Sequence, residues 1–199
     1  KFMNEVNEIN RLLDSRNPKV LKTWNKIRNL CFDDADRIAK ELGAKINRRI
    51  SESEVEETGR KKVITLLKTG KVKKDQGAII IDLEKYNLGV LRLLKSDGTT
   101  LYSTKDLGLF LTKQKIGGDK FIYIVGSEQE HYFRQLFKAF EVLGISKENK
   151  NKHVSHGLVS LKEGKMSSRL GNVITYEDLR DTMIKKALMS IKKRNSKIS

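Results

Sequence analysis

Residues 121–144 constrain the fold more than any other stretch of this chain. Phe121-Ile122-Tyr123-Ile124-Val125 is a short run of β-branched and aromatic residues, the pattern of a buried strand. Gly126-Ser127 follows as a tight turn, with Ser127 placed to cap a helix. Phe133, Leu136, Phe137, Phe140 and Leu143 then recur every three or four residues, so they share one helical face, and Gly144 ends the run. Strand, tight turn and amphipathic helix make half of a βαβ unit. Another strand is predicted around residues 154–161. The whole order reads helix, helix, strands, helix, strand, helix, strand, helix, which predicts an α/β fold with an at least partly parallel sheet. Ligands in such sheets bind beyond the carboxyl ends of the strands, where segments 126–129 and 164–171 begin.

The flanking elements are legible in the same way. Asn17-Pro18 opens a helix, with Asn17 as N-cap and Pro18 in the first turn. Val20, Trp24, Ile27, Cys31, Ala35, Ile38 and Leu42 form its apolar stripe, and Gly43 stops it. Cys31 lies on that stripe and reads as a small core residue. Ser53 and Glu56 have capping-box spacing, which predicts a helix from there to about Leu67, ended by Gly70. Ala78-Ile79-Ile80-Ile81 and Val90-Leu91-Arg92-Leu93-Leu94 read as strands, and Ser96-Asp97-Gly98-Thr99 as a turn. A short helix is predicted from Ser103 or Thr104, carrying Leu107, Phe110 and Leu111. A last helix begins at Thr175, with Asp178 completing a capping box, and is expected to bury Leu179, Met183, Ala187 and Ile191.

Charge narrows the function classes. The chain has 41 Lys and Arg against 25 Asp and Glu, a net charge of +16. That surplus suits either a solvated lysine-rich surface or a polyanionic partner, such as RNA or nucleotide phosphates. No apolar run approaches the ~20 residues of a membrane span, so no membrane role is expected. A single cysteine excludes a disulfide framework and a cysteine-rich zinc site, and a reducing, cytoplasmic setting is expected. The chain opens on Lys1 with no signal peptide, as expected of a piece of a longer polypeptide.

Three places carry candidate chemistry. In Gly164-Lys165-Met166-Ser167-Ser168-Arg169-Leu170-Gly171 a lysine sits between glycines with two hydroxyls beside it. The ammonium, backbone amides and hydroxyls suit a phosphate, and a polar hairpin turn fits the same string. Tyr102 and Asp106 are four apart at a helix start and point to one face. A phenol beside a carboxylate can hold an ammonium or guanidinium; a packed tyrosine and a dipole-complementing aspartate are the reading that the spacing alone favours. Gln129 follows the strand-end turn, where binding residues collect in α/β folds. His131, next but one, reads as a surface or packing residue, and His153 and His156 lack the neighbours a metal site needs.

Lys165-Met166-Ser167-Ser168-Arg169 resembles the second signature of class I aminoacyl-tRNA synthetases, usually K-M-S-K-S. Ser51-Glu52-Ser53-Glu54, Asp97-Gly98-Thr99, Leu101 to Leu107, Val125 to Gln129 and Gly164 to Val173 resemble segments of the arginyl-tRNA synthetases, in that family's order and spacing. The resemblance covers roughly residues 18–190. It implies activation of arginine with ATP and Mg2+ to arginyl-adenylate, with release of pyrophosphate, then transfer to tRNA. It implies no metal held by the protein itself and a monomer at full length. By the same resemblance Tyr102 and Asp106 match the guanidinium-binding pair and Gln129 a further arginine-pocket residue. Lys165 matches the catalytic lysine that steadies the ATP phosphates, while Gly157, Val159, Met166 and Ser167 match the adenine-side wall. The implied fold is the C-terminal half of a class I synthetase Rossmann-like nucleotide-binding domain with preceding helices. The implied organisation is a helical connecting segment over residues 1–72, half of the Rossmann-like domain over 73–185 and a basic tail over 186–199.

The chain departs from the family pattern in three places. Ser168 and Arg169 stand where the usual signature has lysine and serine. Tyr132 stands where the family commonly has histidine, with His131 one place early and given no catalytic role. The first class I signature, H-I-G-H or a variant, does not occur in the 199 residues. An alternative function is therefore a non-catalytic RNA-binding or regulatory paralogue.

Overall fold

A computed structural model describes residues 2–157, 160–161, 164–165 and 173–194. In chain order the elements are α1 (Phe2–Asp14), α2 (Pro18–Glu41), α3 (Glu52–Lys68), β1 (Lys73–Asp75), β2 (Ala78–Asp82), β3 (Val90–Leu94), α4 (Tyr102–Ile116), β4 (Phe121–Gly126), α5 (Glu130–Val142), β5 (Asn151–His156), β6 (Ser160–Leu161), β7 (Gly164–Lys165) and α6 (Tyr176–Arg194). They form two compact units, residues 1–49 with 173–199, and residues 50–172.

The first unit is helical. Asn17 caps α2 as its sequence predicts, accepting from the Lys19 N–H at 3.0 Å. At α6 the Asp178 N–H donates to Thr175 Oγ1 (3.2 Å) and the Thr175 N–H to Asp178 Oδ2 (3.1 Å), closing the expected capping box. Burial departs from expectation. None of the described residues of α2 or α6 is buried. Cys31 is exposed, not a core residue. Leu179, Met183, Ala187 and Ile191 are all exposed. α2 and α6 are joined by ion pairs. Arg37 on α2 pairs with Glu177 on α6, and Arg180 on α6 reaches Glu41 on α2 at 3.0 Å.

The second unit holds the core. β1, β2 and β3 form an antiparallel sheet in that order, and β4 pairs in parallel with β5, from Phe121↔Asn151 to Gly126↔His156. β5 therefore starts three residues earlier than its sequence suggests and ends where β4 ends. Residues 160–161 form a separate strand, paired with β7. α5 buries Phe133, Leu136 and Phe140 as its periodicity requires, and the chain leaves the helix through Gly144 at φ +68°. Phe110 of α4 sits at the centre, stacked on Phe140 at 4.8 Å and edge-on to Phe121 at 5.2 Å. β4 is buried on one face only: Phe121 and Tyr123 pack inward, whereas Ile122 and Ile124 are exposed. The continuous apolar run thus misleads about its outer face.

α3 begins at Ser51, two residues before the predicted cap, with the Ser51 N–H donating to Glu54 Oε1 at 2.8 Å. It crosses α4 at two glycines. A Cβ on Gly59 would lie 1.9 Å from the Thr104 carbonyl oxygen, and one on Gly108 would lie 2.1 Å from that of Val55. The two backbones therefore touch, which only glycine permits. α4 is also tied to the sheet. The Ser103 hydroxyl donates to the Arg92 carbonyl at 2.5 Å and the Thr104 hydroxyl to that of Leu93. Four turns of helix, rather than a short one, are fixed in this way, and with them the positions of Tyr102 and Asp106.

Candidate functional site

Tyr102 opens α4 and is 72% exposed. Its ring lies 5.8 Å from Lys105 Nζ, and that ammonium pairs with Glu52 of α3 at 2.8 Å. One turn further, Asp106 is half-buried. The Tyr132 hydroxyl, from the first turn of α5, donates to Asp106 Oδ2 at 2.5 Å. Among the described residues no lysine, arginine or histidine comes within ion-pair distance of Asp106, and Oδ1 accepts no hydrogen bond.

The electrostatics follow from that geometry. Burial pushes the Asp106 carboxyl above its ordinary range; the Tyr132 hydrogen bond pulls it down, Glu52 raises it further, and Lys113 lowers it. Burial likewise holds the Lys113 ammonium below its usual range, against the pull of Asp106. Lys113 Nζ lies 4.0 Å above the Tyr123 ring, a cation–π contact on β4. The phenols of Tyr123 and Tyr132 are raised, first by burial and then by Asp106. The Tyr123 hydroxyl is buried with no hydrogen-bond partner among the described residues.

Gln129 ends the 3-10 turn between β4 and α5 and is exposed. It lies three residues before Tyr132, across the first turn of α5, so the Tyr132–Asp106 bond brings α4 and this turn to the same end of the sheet. The neighbouring His153 is packed, its ring stacked on Phe133 at 4.7 Å and its Nε2 3.0 Å from the Val125 carbonyl. Gly157 follows β5 and is exposed. Lys165 stands on β7, its backbone paired with Ser160. Val159, Met166 and Ser167 lie outside the described residues. Two clefts of about 360 and 350 Å3 elsewhere in this unit, one beside Tyr86 and Lys138 and one beside Asp75 and Arg92, include none of these positions. The sequence pattern had marked Tyr132 only as a departure; its one usable signal was its place in the helix turn that follows Gln129.

What the arrangement offers is a half-buried acid with one oxygen held and no paired cation among the described residues, at the end of a parallel strand pair. The family model for the catalytic domain of class I (R) tRNA synthetases matches residues 1–199, and the chain belongs to that family. An arginine–tRNA ligase of Borrelia hermsii is 37% identical over 201 residues, covering 95% of this chain and 34% of the relative. That of Borrelia duttonii is 36% identical over 200 residues, covering 94% and 34%. The chain thus spans about a third of the length of the ligases it matches. The crystal structure of arginyl-tRNA synthetase from Plasmodium falciparum superposes with a TM-score of 0.66 at 20% identity, over 94% of this chain and 33% of that one, which establishes the shared α/β fold. Among the described residues no helix is long and apolar enough to cross a membrane.

Proposed function

We propose that this segment supplies the amino-acid pocket and part of the ATP site of an arginine–tRNA ligase. In this reading the enzyme joins arginine to ATP as arginyl-adenylate, releases pyrophosphate, and passes the arginyl group to tRNA. The observation that carries it is Asp106: a half-buried carboxylate, unpaired with any described cation. A guanidinium restores the missing charge, and its fork of N–H donors fits a carboxylate in a way an ammonium does not. Tyr102, exposed one turn away, covers the flat face of that cation, and Gln129 adds a polar contact from the facing turn. Lys165 steadies the ATP phosphates, with Gly157, Val159, Met166 and Ser167 along the adenine. Mg2+ arrives with ATP as part of the substrate. The net charge of +16 suits a tRNA partner.

The test is ATP–pyrophosphate exchange by the full-length protein that carries this segment, with tRNA present and each amino acid supplied in turn. Exchange with arginine alone is the expected result. Exchange with none would favour the non-catalytic paralogue, and exchange with a different amino acid would refute the pocket. The 199 residues by themselves, with no H-I-G-H string, are expected to give no exchange.

A further inference from the structure

We infer that Tyr132 is a positioning residue for the arginine pocket: its hydroxyl fixes Asp106 Oδ2 from α5, so that Oδ1 is left to meet the substrate's guanidinium. The inference rests on the reading of Asp106 as the guanidinium acceptor. The geometry is specific. Asp106 belongs to α4 and Tyr132 to α5, 26 residues later, and the Tyr132 Oη to Asp106 Oδ2 distance is 2.5 Å. The Tyr132 ring is itself held, edge-on to Phe133 at 5.3 Å. A carboxylate on a single rotatable stem has two equivalent oxygens, and pinning one selects the orientation of the other. Phenylalanine in place of Tyr132 would keep the ring and lose only the donor.

The same bond favours the charged form of Asp106. The titratable and charged groups acting on Asp106 are Glu52 of α3, Lys113 of α4, Tyr123 of β4 and Tyr132 of α5. Burial and Glu52 favour the protonated acid, and a protonated acid cannot pair with a guanidinium. The Tyr132 bond favours the carboxylate, and Lys113 assists from a distance. Tyr123, whose buried hydroxyl has no hydrogen-bond partner among the described residues, does not bond Asp106 in its place.

The experiment uses the full-length protein and measures arginine KM and kcat in ATP–pyrophosphate exchange from pH 5 to pH 8. For Tyr132→Phe the arginine KM is expected to rise about tenfold with kcat within about threefold. The pH at which KM climbs on acidification should move upward by about one pH unit, because a bond that stabilised the carboxylate is gone. 3-Fluorotyrosine at position 132, a stronger donor of nearly the same size, should move that pH downward. A packing role alone would leave both limbs where they are. Asp106→Ala runs beside them. If it abolishes arginine use while both Tyr132 replacements leave KM and its pH limb unchanged, the positioning role is refuted and the pocket stands. If Asp106→Ala leaves arginine KM unchanged, the pocket itself is refuted.

Discussion

Burial works against ionisation of Asp106, and the Tyr132 hydrogen bond works for it. Its carboxyl is raised by burial, so the folded chain holds the Asp106 proton more tightly than the unfolded chain does. The contribution of this group to stability is then greatest in acid, and it is lost as pH rises through the raised folded value. Asp106→Asn is therefore expected to raise the melting temperature at pH 7 and to lose that advantage as pH falls toward the ordinary carboxylate range. Thermal unfolding followed against pH reads this directly; an asparagine variant less stable than the parent at pH 7 would contradict it. At this scale the spacing of Tyr102 and Asp106 was legible, because four residues on a helix make one face. The partner of Asp106 was not. Tyr132 lies on another helix, and no local pattern records which side chains two helices bring together.

The crossing of α3 and α4 decides where that acid points. Gly59 and Gly108 let the two backbones meet, and in each case the nearest atom to an added Cβ is a carbonyl oxygen of the facing helix, which cannot swing aside as a side chain would. Gly59→Ala and Gly108→Ala are each expected to destabilise the second unit by about 1–3 kcal/mol, as overpacking does, or more if the helices must separate. Urea unfolding measures it, and a loss within a few tenths of a kcal/mol would mean the helices part freely. Such a shift moves α4, so arginine KM should rise with it. Elements defined by their own periodicity were legible: α5 from its aromatic face, α2 and α6 from their caps, β2 and β3 from their apolar runs. What escaped was set by partners. β5 takes its length from β4, the outer face of β4 stands uncovered at Ile124, and none of the described residues of α2 or α6 is buried although ion pairs join those helices. Amphipathicity states that a face wants cover and is silent on what covers it.

Over the whole molecule, a lysine-rich chain of +16 contains one half-buried acid at the end of a parallel strand pair that no described cation neutralises. The surplus positive charge suits phosphate and RNA, and the acid suits the opposite partner, a cationic amino acid. In the proposed reading the two are compatible within one enzyme. The most direct measurement is isothermal calorimetry of arginine binding to the full-length protein, unaltered and as Asp106→Ala, each with ATP binding as the internal control. Asp106→Ala should weaken arginine by about 2–5 kcal/mol, the penalty for stripping one partner from a buried charge pair, and leave ATP affinity in place. Equal arginine affinity in the two proteins would contradict the account.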